Sequence, residues 1–157
     1  KAINVPLIAA GGIIDGKSML AAMILGADGV QMGTRFVACK ESSAHENFKN
    51  MVLKAKEGDT RLTLKEITPV RMMKNKFFQE VEELYKTSPS KEQLLNKLGR
   101  GRAKLGMFEG DLEAGELEIG QASSQINRVF TAQEIVQQIM TEFNSIKSQM
   151  SIANKFN

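Results

Sequence analysis

The chain has 157 residues, of which 42% are hydrophobic and 25% charged, with a formal net charge of +3. That length and balance suit one globular core and argue against a disordered segment or a disulfide scaffold. No apolar run approaches the roughly 18 residues that span a bilayer, and the opening KAINVPLIAAGG lacks the order of a signal peptide, so no membrane role and a cytoplasmic location are expected. Basic residues alternate with acidic ones rather than forming a stripe with aromatic neighbours, which argues against nucleic-acid binding. The single Cys39 has no partner for a disulfide or a zinc site and reads as a small buried thiol. With no initiator Met and an apolar strand at the outset, the chain reads as one piece of a longer polypeptide.

Val5 to Ala10 form a continuous apolar run ended by Gly11-Gly12, the pattern of a parallel strand buried on both faces. A helix is expected from Gly16 to Gly26, with Met19, Ala22 and Met23 at helical spacing and Gly26 closing it in a left-handed conformation. Ala27 to Met32 then predicts a second strand, ended by Gly33-Thr34. Strand, helix and strand within about thirty residues make a βαβ unit with parallel strands and a right-handed crossover. Both glycine pairs therefore sit at the carboxyl ends of neighbouring strands, where α/β folds place their ligands. A residue without Cβ lets backbone N–H groups approach an anion closely, a following helix start adds its positive end, and Thr34 adds a hydroxyl. Either pair alone could be a tight turn; two at successive strand ends point to a phosphate.

Farther along, Ser43 and Glu46 have the spacing of a capping box, and His45, Phe48, Val52 and Ala55 recur at helical intervals. The lone His45 therefore reads as a packing residue at a helix start, not as a general acid or base. Glu57-Gly58-Asp59 marks a turn, and Thr60 to Ile67 alternates like a strand. Residues 70–86 are expected to be helical, with Val70, Met73, Phe77, Val81 and Leu84 as an apolar stripe. A second helix after Ser88-Pro89-Ser90 carries Leu94, Leu95 and Leu98 and ends near Gly99. Gly99-Arg100-Gly101-Arg102 lacks a preceding strand and the spacing of a nucleotide loop, and reads as a helix break with two solvated arginines. Thr131 and Glu134 form another capping-box pattern before a last helix bearing Ile135, Ile139, Phe143 and Ile146, and the tail from Lys147 to Asn157 is expected to fray.

The segment VPLIAAGGIIDGKSMLAAMILGADGVQMGTRFVACKESSAHENFK resembles the nitronate monooxygenase (2-nitropropane dioxygenase) family and its relative, the flavin-type enoyl-[acyl-carrier-protein] reductase. Pro69-Val70-Arg71 with Asn75, and Gly120-Gln121, resemble later landmarks of the same family. The resemblance implies an α/β fold, the C-terminal portion of an FMN-binding (β/α)8 TIM barrel with strands seven and eight in residues 1–58, followed by a mainly helical C-terminal extension over 59–157. It implies phosphate-binding positions at Gly12, Gln31, Met32, Gly33 and Thr34, with Ala10 and Gly11 as adjacent backbone contributors. The family's catalytic histidine follows the sixth strand, which would precede Lys1, so no catalytic residue is expected in this chain.

Two activities are implied for the parent enzyme. One oxidises alkyl nitronates with oxygen; the other reduces an enoyl thioester on an acyl carrier protein with NAD(P)H as co-substrate. Arg71, Lys74, Lys76, Arg100, Arg102 and Lys104 would give an acidic carrier protein local positive charge to meet. Inosine monophosphate dehydrogenase and guanosine monophosphate reductase share the glycine pattern but look for an acidic residue where this chain has Ala10. A third reading is a non-catalytic binding fragment. Two strands of a closed barrel leave open edges, so poor independent folding is expected, relieved by the missing N-terminal half or by a homo-oligomer.

Overall fold

A computed structural model describes residues 3–152. The first strand, β1 (Ile8–Ala10), pairs in parallel with β2 (Gly29–Gln31), and helix α1 (Gly16–Ile24) crosses between them, so the βαβ unit forms as the sequence predicts. Asp15 caps α1 by accepting from the Ser18 backbone N–H at 2.8 Å, while the Ser18 hydroxyl accepts from the Asp15 N–H at 3.2 Å. Gly26 follows the helix at φ +107, a left-handed value that only glycine adopts cheaply.

One expectation fails here. The apolar run is not buried on both faces: Val5 is 65% and Ile8 54% exposed. The β1–β2 sheet has two strands, and among the described residues no other strand pairs with β1. Leu25, at the end of α1, is 88% exposed.

After β2 comes a single helical turn, α2 (Thr34–Val37), and then α3 (Glu46–Leu53). The cap of α3 is His45 itself, whose Nδ1 accepts from the Asn47 N–H at 3.1 Å; the expected Ser43–Glu46 capping box does not form. The reason is tertiary. The His45 backbone N–H is held by the Met107 carbonyl at 2.8 Å, and the imidazole fills the space where a Cβ on Gly110 would stand, so the chain enters α3 one position before Glu46.

Residues 70–86 are not one helix. Val70–Met73 form strand β4, antiparallel to β3 (Thr60–Thr63), and α4 (Lys76–Tyr85) begins only after Asn75. Asn75 stops the strand and starts the helix. Its Oδ1 accepts from the Phe78 N–H at 2.9 Å, and its Nδ2 donates to the carbonyls of Leu112 and Gly115, each at 2.8 Å. On its other edge β4 meets the segment 117–119, through Met73 N–H to Leu117 O at 2.9 Å and Ile119 N–H to Arg71 O at 3.0 Å. The region after residue 58 thus contains a β-hairpin as well as helices.

Helix α5 (Lys91–Leu98) starts at a Ser90–Gln93 capping box and ends at Gly99, φ +67. Arg100 is solvated as expected, but Arg102 is not. Its guanidinium lies 4.6 Å from the centre of the Phe77 ring and donates to the carbonyls of Leu98 and Ala114, each at 2.9 Å. Two apolar clusters hold this region. Phe48, Val52, Met73, Leu117, Ile119 and Ile126 form one, and Leu64, Met72, Phe77, Phe78, Val81 and Leu94 the other.

The last helix, α6 (Ala132–Ile152), opens with the predicted Thr131–Glu134 cap, Thr131 N–H to Glu134 Oε2 at 2.7 Å and Glu134 N–H to Thr131 Oγ1 at 3.1 Å. It stays helical from Lys147 to Ile152, contrary to the expected fraying, while 153–157 lie outside the described residues. α6 returns to the beginning of the chain and packs on α1. At the crossing a Cβ on Gly16 would stand 2.6 Å from the Ile139 carbonyl oxygen, so the two backbones meet only because residue 16 is glycine. The Gly16 N–H donates to Glu142 Oε2 at 2.9 Å. Cys39 is buried beside Ile135 and Ile139, as a small packing thiol should be. No helix among the described residues is long and apolar enough to cross a membrane.

Candidate functional site

The strand register sets the geometry of the site. Ala10 is opposite Gln31, so the chain leaves both strands at the same level, and Gly11-Gly12 and Met32-Gly33-Thr34 emerge side by side. Gly11 and Gly12 have φ +93 and +73, conformations that turn the backbone sharply and strain any side-chain-bearing residue. A Cβ at Gly11, Gly12 or Gly33 would meet nothing within 4 Å, so the space in front of these backbones is open to a ligand. Gly33 has an ordinary backbone conformation; what it contributes is room, not a special φ.

The other candidates take distinct places. The Ala10 and Gln31 side chains are exposed, whereas Met32 packs against the cluster around Cys39 and Ile135, leaving Met32 only its backbone to offer. Thr34 is the first residue of α2, so its N–H and that of Arg35 have no intrahelical acceptor. Its Oγ1 accepts from the Gly120 N–H at 3.1 Å and also fills the space where a Cβ on Gly120 would stand. The hydroxyl proton stays available to a ligand. The family-like landmark at Gly120-Gln121 is thereby tied to the end of β2, across 86 positions of sequence.

One expected contribution is absent. The amino end of α1 does not face the site as a free positive pole, because two carboxylates already occupy it. Asp15 takes the Ser18 N–H and Glu142 takes the Gly16 N–H. Burial pushes the Asp15 carboxyl up, but hydrogen bonds from the Ser18 side chain and backbone outweigh it and hold the group below the usual aspartate range. The unpaired donors at the strand ends are then the backbone N–H groups that begin α2 and those of the glycines.

Of the predicted site residues Gly12 borders a cavity of about 600 Å³, whereas Ala10, Gly11, Gln31, Met32, Gly33 and Thr34 do not line it; its lining also includes Thr60, Arg71, Gln121, Ser124 and Gln125. The sequence pattern did not bring these residues to the site, and none is near Gly12 in the chain. Gln121–Gln125 form a short 3-10 turn that begins at the anchored Gly120. Asn75, the other landmark, is a buried structural cap. His45 is committed to capping α3. The six basic residues that suggested a docking patch divide. Arg71 borders the cavity, Arg102 stacks on Phe77, and Lys104 pairs with Glu109 at 3.0 Å, leaving Lys74, Lys76 and Arg100 exposed.

Known proteins are similar to this chain in sequence and in fold. A probable nitronate monooxygenase of Staphylococcus saprophyticus is 34% identical over 94% of the chain, which spans 41% of that protein. Among solved structures, FabK from Thermotoga maritima superposes with a TM-score of 0.87 and 36% identity, over 96% of this chain and 48% of that one. A nitroalkane oxidase from Streptomyces ansochromogenes gives a TM-score of 0.76 and 28% identity, over 95% of this chain and 42% of that one. The chain thus spans less than half the length of these relatives. Residues 1–142 match the family model described as nitronate monooxygenase, and with the glycine-tipped strand pair in place the chain belongs to that family.

Proposed function

We propose that the chain is the flavin-phosphate-holding part of an FMN-dependent oxidoreductase, with β1 and β2 as the last two strands of a (β/α)8 barrel whose other strands lie in an N-terminal half. The observation that carries the reading is the level end of the strand pair, where two left-handed glycines stand beside the open start of α2. Neutral backbone N–H groups at Gly11, Gly12, Gly33 and Thr34, with the Thr34 hydroxyl, suit a phosphate monoester, which needs several short-range donors and close approach. The exposed apolar face of Val5, Leu7 and Ile8 is the surface that neighbouring barrel strands would cover.

Bound there, FMN would supply the electron-transfer chemistry. The residues of this chain bind and orient: Gly12 fixes the turn, Thr34 donates its hydroxyl and receives Gly120, and the Gln121–Gln125 turn lines the cavity that Gly12 borders. Neither a general base nor a nucleophile is assigned here, and the parent's substrate is either an alkyl nitronate oxidised with oxygen or an enoyl-[acyl-carrier-protein] reduced with NAD(P)H. The Ala10 position, without a carboxylate for ribose hydroxyls, and the family match both weigh against a nucleoside-monophosphate enzyme.

Stopped-flow flavin bleaching of the full-length protein under anaerobic conditions tests the reading. Bleaching by an alkyl nitronate alone identifies the monooxygenase, and rapid bleaching by NADH or NADPH the reductase. A folded full-length protein that holds no flavin would overturn the proposal.

A further inference from the structure

We infer that Arg71 is the cationic group of the phosphate site, lining the cavity that Gly12 also borders. The inference rests on the phosphate reading above and adds a residue that no strand-end motif contains. Among the described residues, Arg71 and Glu57 are the only charged side chains bordering the cavity that Gly12 also borders. Glu57 is exposed at its rim, whereas Arg71 is half-buried. Among the described residues no carboxylate pairs with Arg71. Its Nη1 donates to the Thr60 carbonyl at 3.3 Å and to Thr60 Oγ1 at 3.2 Å. Those two acceptors are neutral, so they orient the guanidinium without neutralising it, and the remaining donors are left for an anion.

The backbone fixes Arg71 relative to the glycine side. The Ile119 N–H donates to the Arg71 carbonyl at 3.0 Å, and the next residue, Gly120, donates to Thr34 Oγ1 at 3.1 Å. Two hydrogen bonds and one peptide unit therefore connect the Arg71 backbone to the start of α2. The grip on the strand-end side consists of neutral N–H groups and a hydroxyl, which position a phosphate dianion but leave its charge uncompensated in a partly enclosed cavity. A guanidinium matches phosphate geometry with two parallel donors and cannot lose its charge at physiological pH.

The test compares FMN with riboflavin, which lacks the phosphate, by fluorescence titration of the full-length apoprotein. For Arg71→Ala, FMN affinity falls about 10- to 100-fold, riboflavin affinity is unchanged, and Arg71→Lys lies between. Equal losses for both flavins, or no loss for FMN, would overturn the role of Arg71 while leaving the glycine grip standing. A folded wild type that binds the two flavins equally would instead remove the phosphate reading and this inference together. Because Arg71 also holds Thr60, the wild-type protein gives a second measurement. FMN, and not riboflavin, should protect Arg71 from phenylglyoxal in peptide mapping; modification at the same rate with and without FMN contradicts the inference.

Discussion

The strand pair and the region from α3 to the Gln121–Gln125 turn hold their residues in different ways. In the first, the strands are three residues long, Val5, Leu7 and Ile8 at and before β1 are exposed, and what is specified is the conformation of Gly11 and Gly12 and a register that levels the strand ends. In the second, Phe48, Val52, Phe77 and Leu94 are fully enclosed, and Asn75 uses both of its side-chain polar atoms to hold segments together. The contrast teaches that the proposed binding surface and the stability of this chain reside in different residues. The Thr34–Gly120 and Arg71–Ile119 hydrogen bonds are where the two meet.

If that division is right, truncating the enclosed core has the largest effect on stability. Phe48→Ala should cost about 3–5 kcal/mol in denaturant unfolding, whereas Leu25→Ala, at an 88% exposed position, should change the chain's stability by no more than about 0.5 kcal/mol. Comparable losses would erase the contrast. Gly16→Ala forces a Cβ against the α6 backbone, which cannot rotate away, and should cost about 3 kcal/mol. Limited proteolysis should then release α6 before the hairpin region.

Glu116 sharpens the comparison through pH. Burial, reinforced by the nearby Glu118 and opposed by Arg102, raises its carboxyl from 4.5 to about 7. A raised folded-state value means that the folded protein binds more protons than the unfolded chain between those limits. The associated stability is full below pH 4.5 and is lost as pH rises through about 7. Glu116→Gln should therefore flatten the fall in Tm across that window and stabilise the protein at neutral pH, by an amount on the order of 1–3 kcal/mol. An unchanged pH profile would place the titration elsewhere. The smallest effect belongs to the seam itself. Thr34→Val removes the acceptor of the Gly120 N–H at nearly constant shape, and should cost about 1 kcal/mol in urea unfolding while weakening FMN more than riboflavin.

The strand pair was legible because its signals are local. Gly11-Gly12, Gly26 and Gly33 punctuate a short βαβ unit, and the order of glycine and apolar run survives without any knowledge of the partner strands. The Thr131–Glu134 cap and the break at Gly99 were legible for the same reason. β4 was not. Val70, Met73 and Phe77 fall at helical intervals by coincidence, and the residue that divides strand from helix, Asn75, is fixed by carbonyls some forty positions away. Likewise, His45 caps α3 because Met107 and Gly110 hold it there, and Arg102 looked solvated only until Phe77 came beneath it. The cavity wall of Thr60, Arg71 and Gln121 is the clearest case, since these residues reach Gly12 through the folded hairpin and the seam and not through any spacing in the chain.

The central claim is that the level strand ends grip a phosphate, and Gly12→Val tests it most directly. The substitution places a β-branched side chain at φ +73 and in the open space before the cavity. Calorimetric titration of the full-length protein and this variant with FMN and with riboflavin is the measurement. The account predicts that wild type prefers FMN and that the variant loses that preference while retaining riboflavin affinity; a wild type indifferent to the phosphate, or a variant that keeps the full preference, would contradict it.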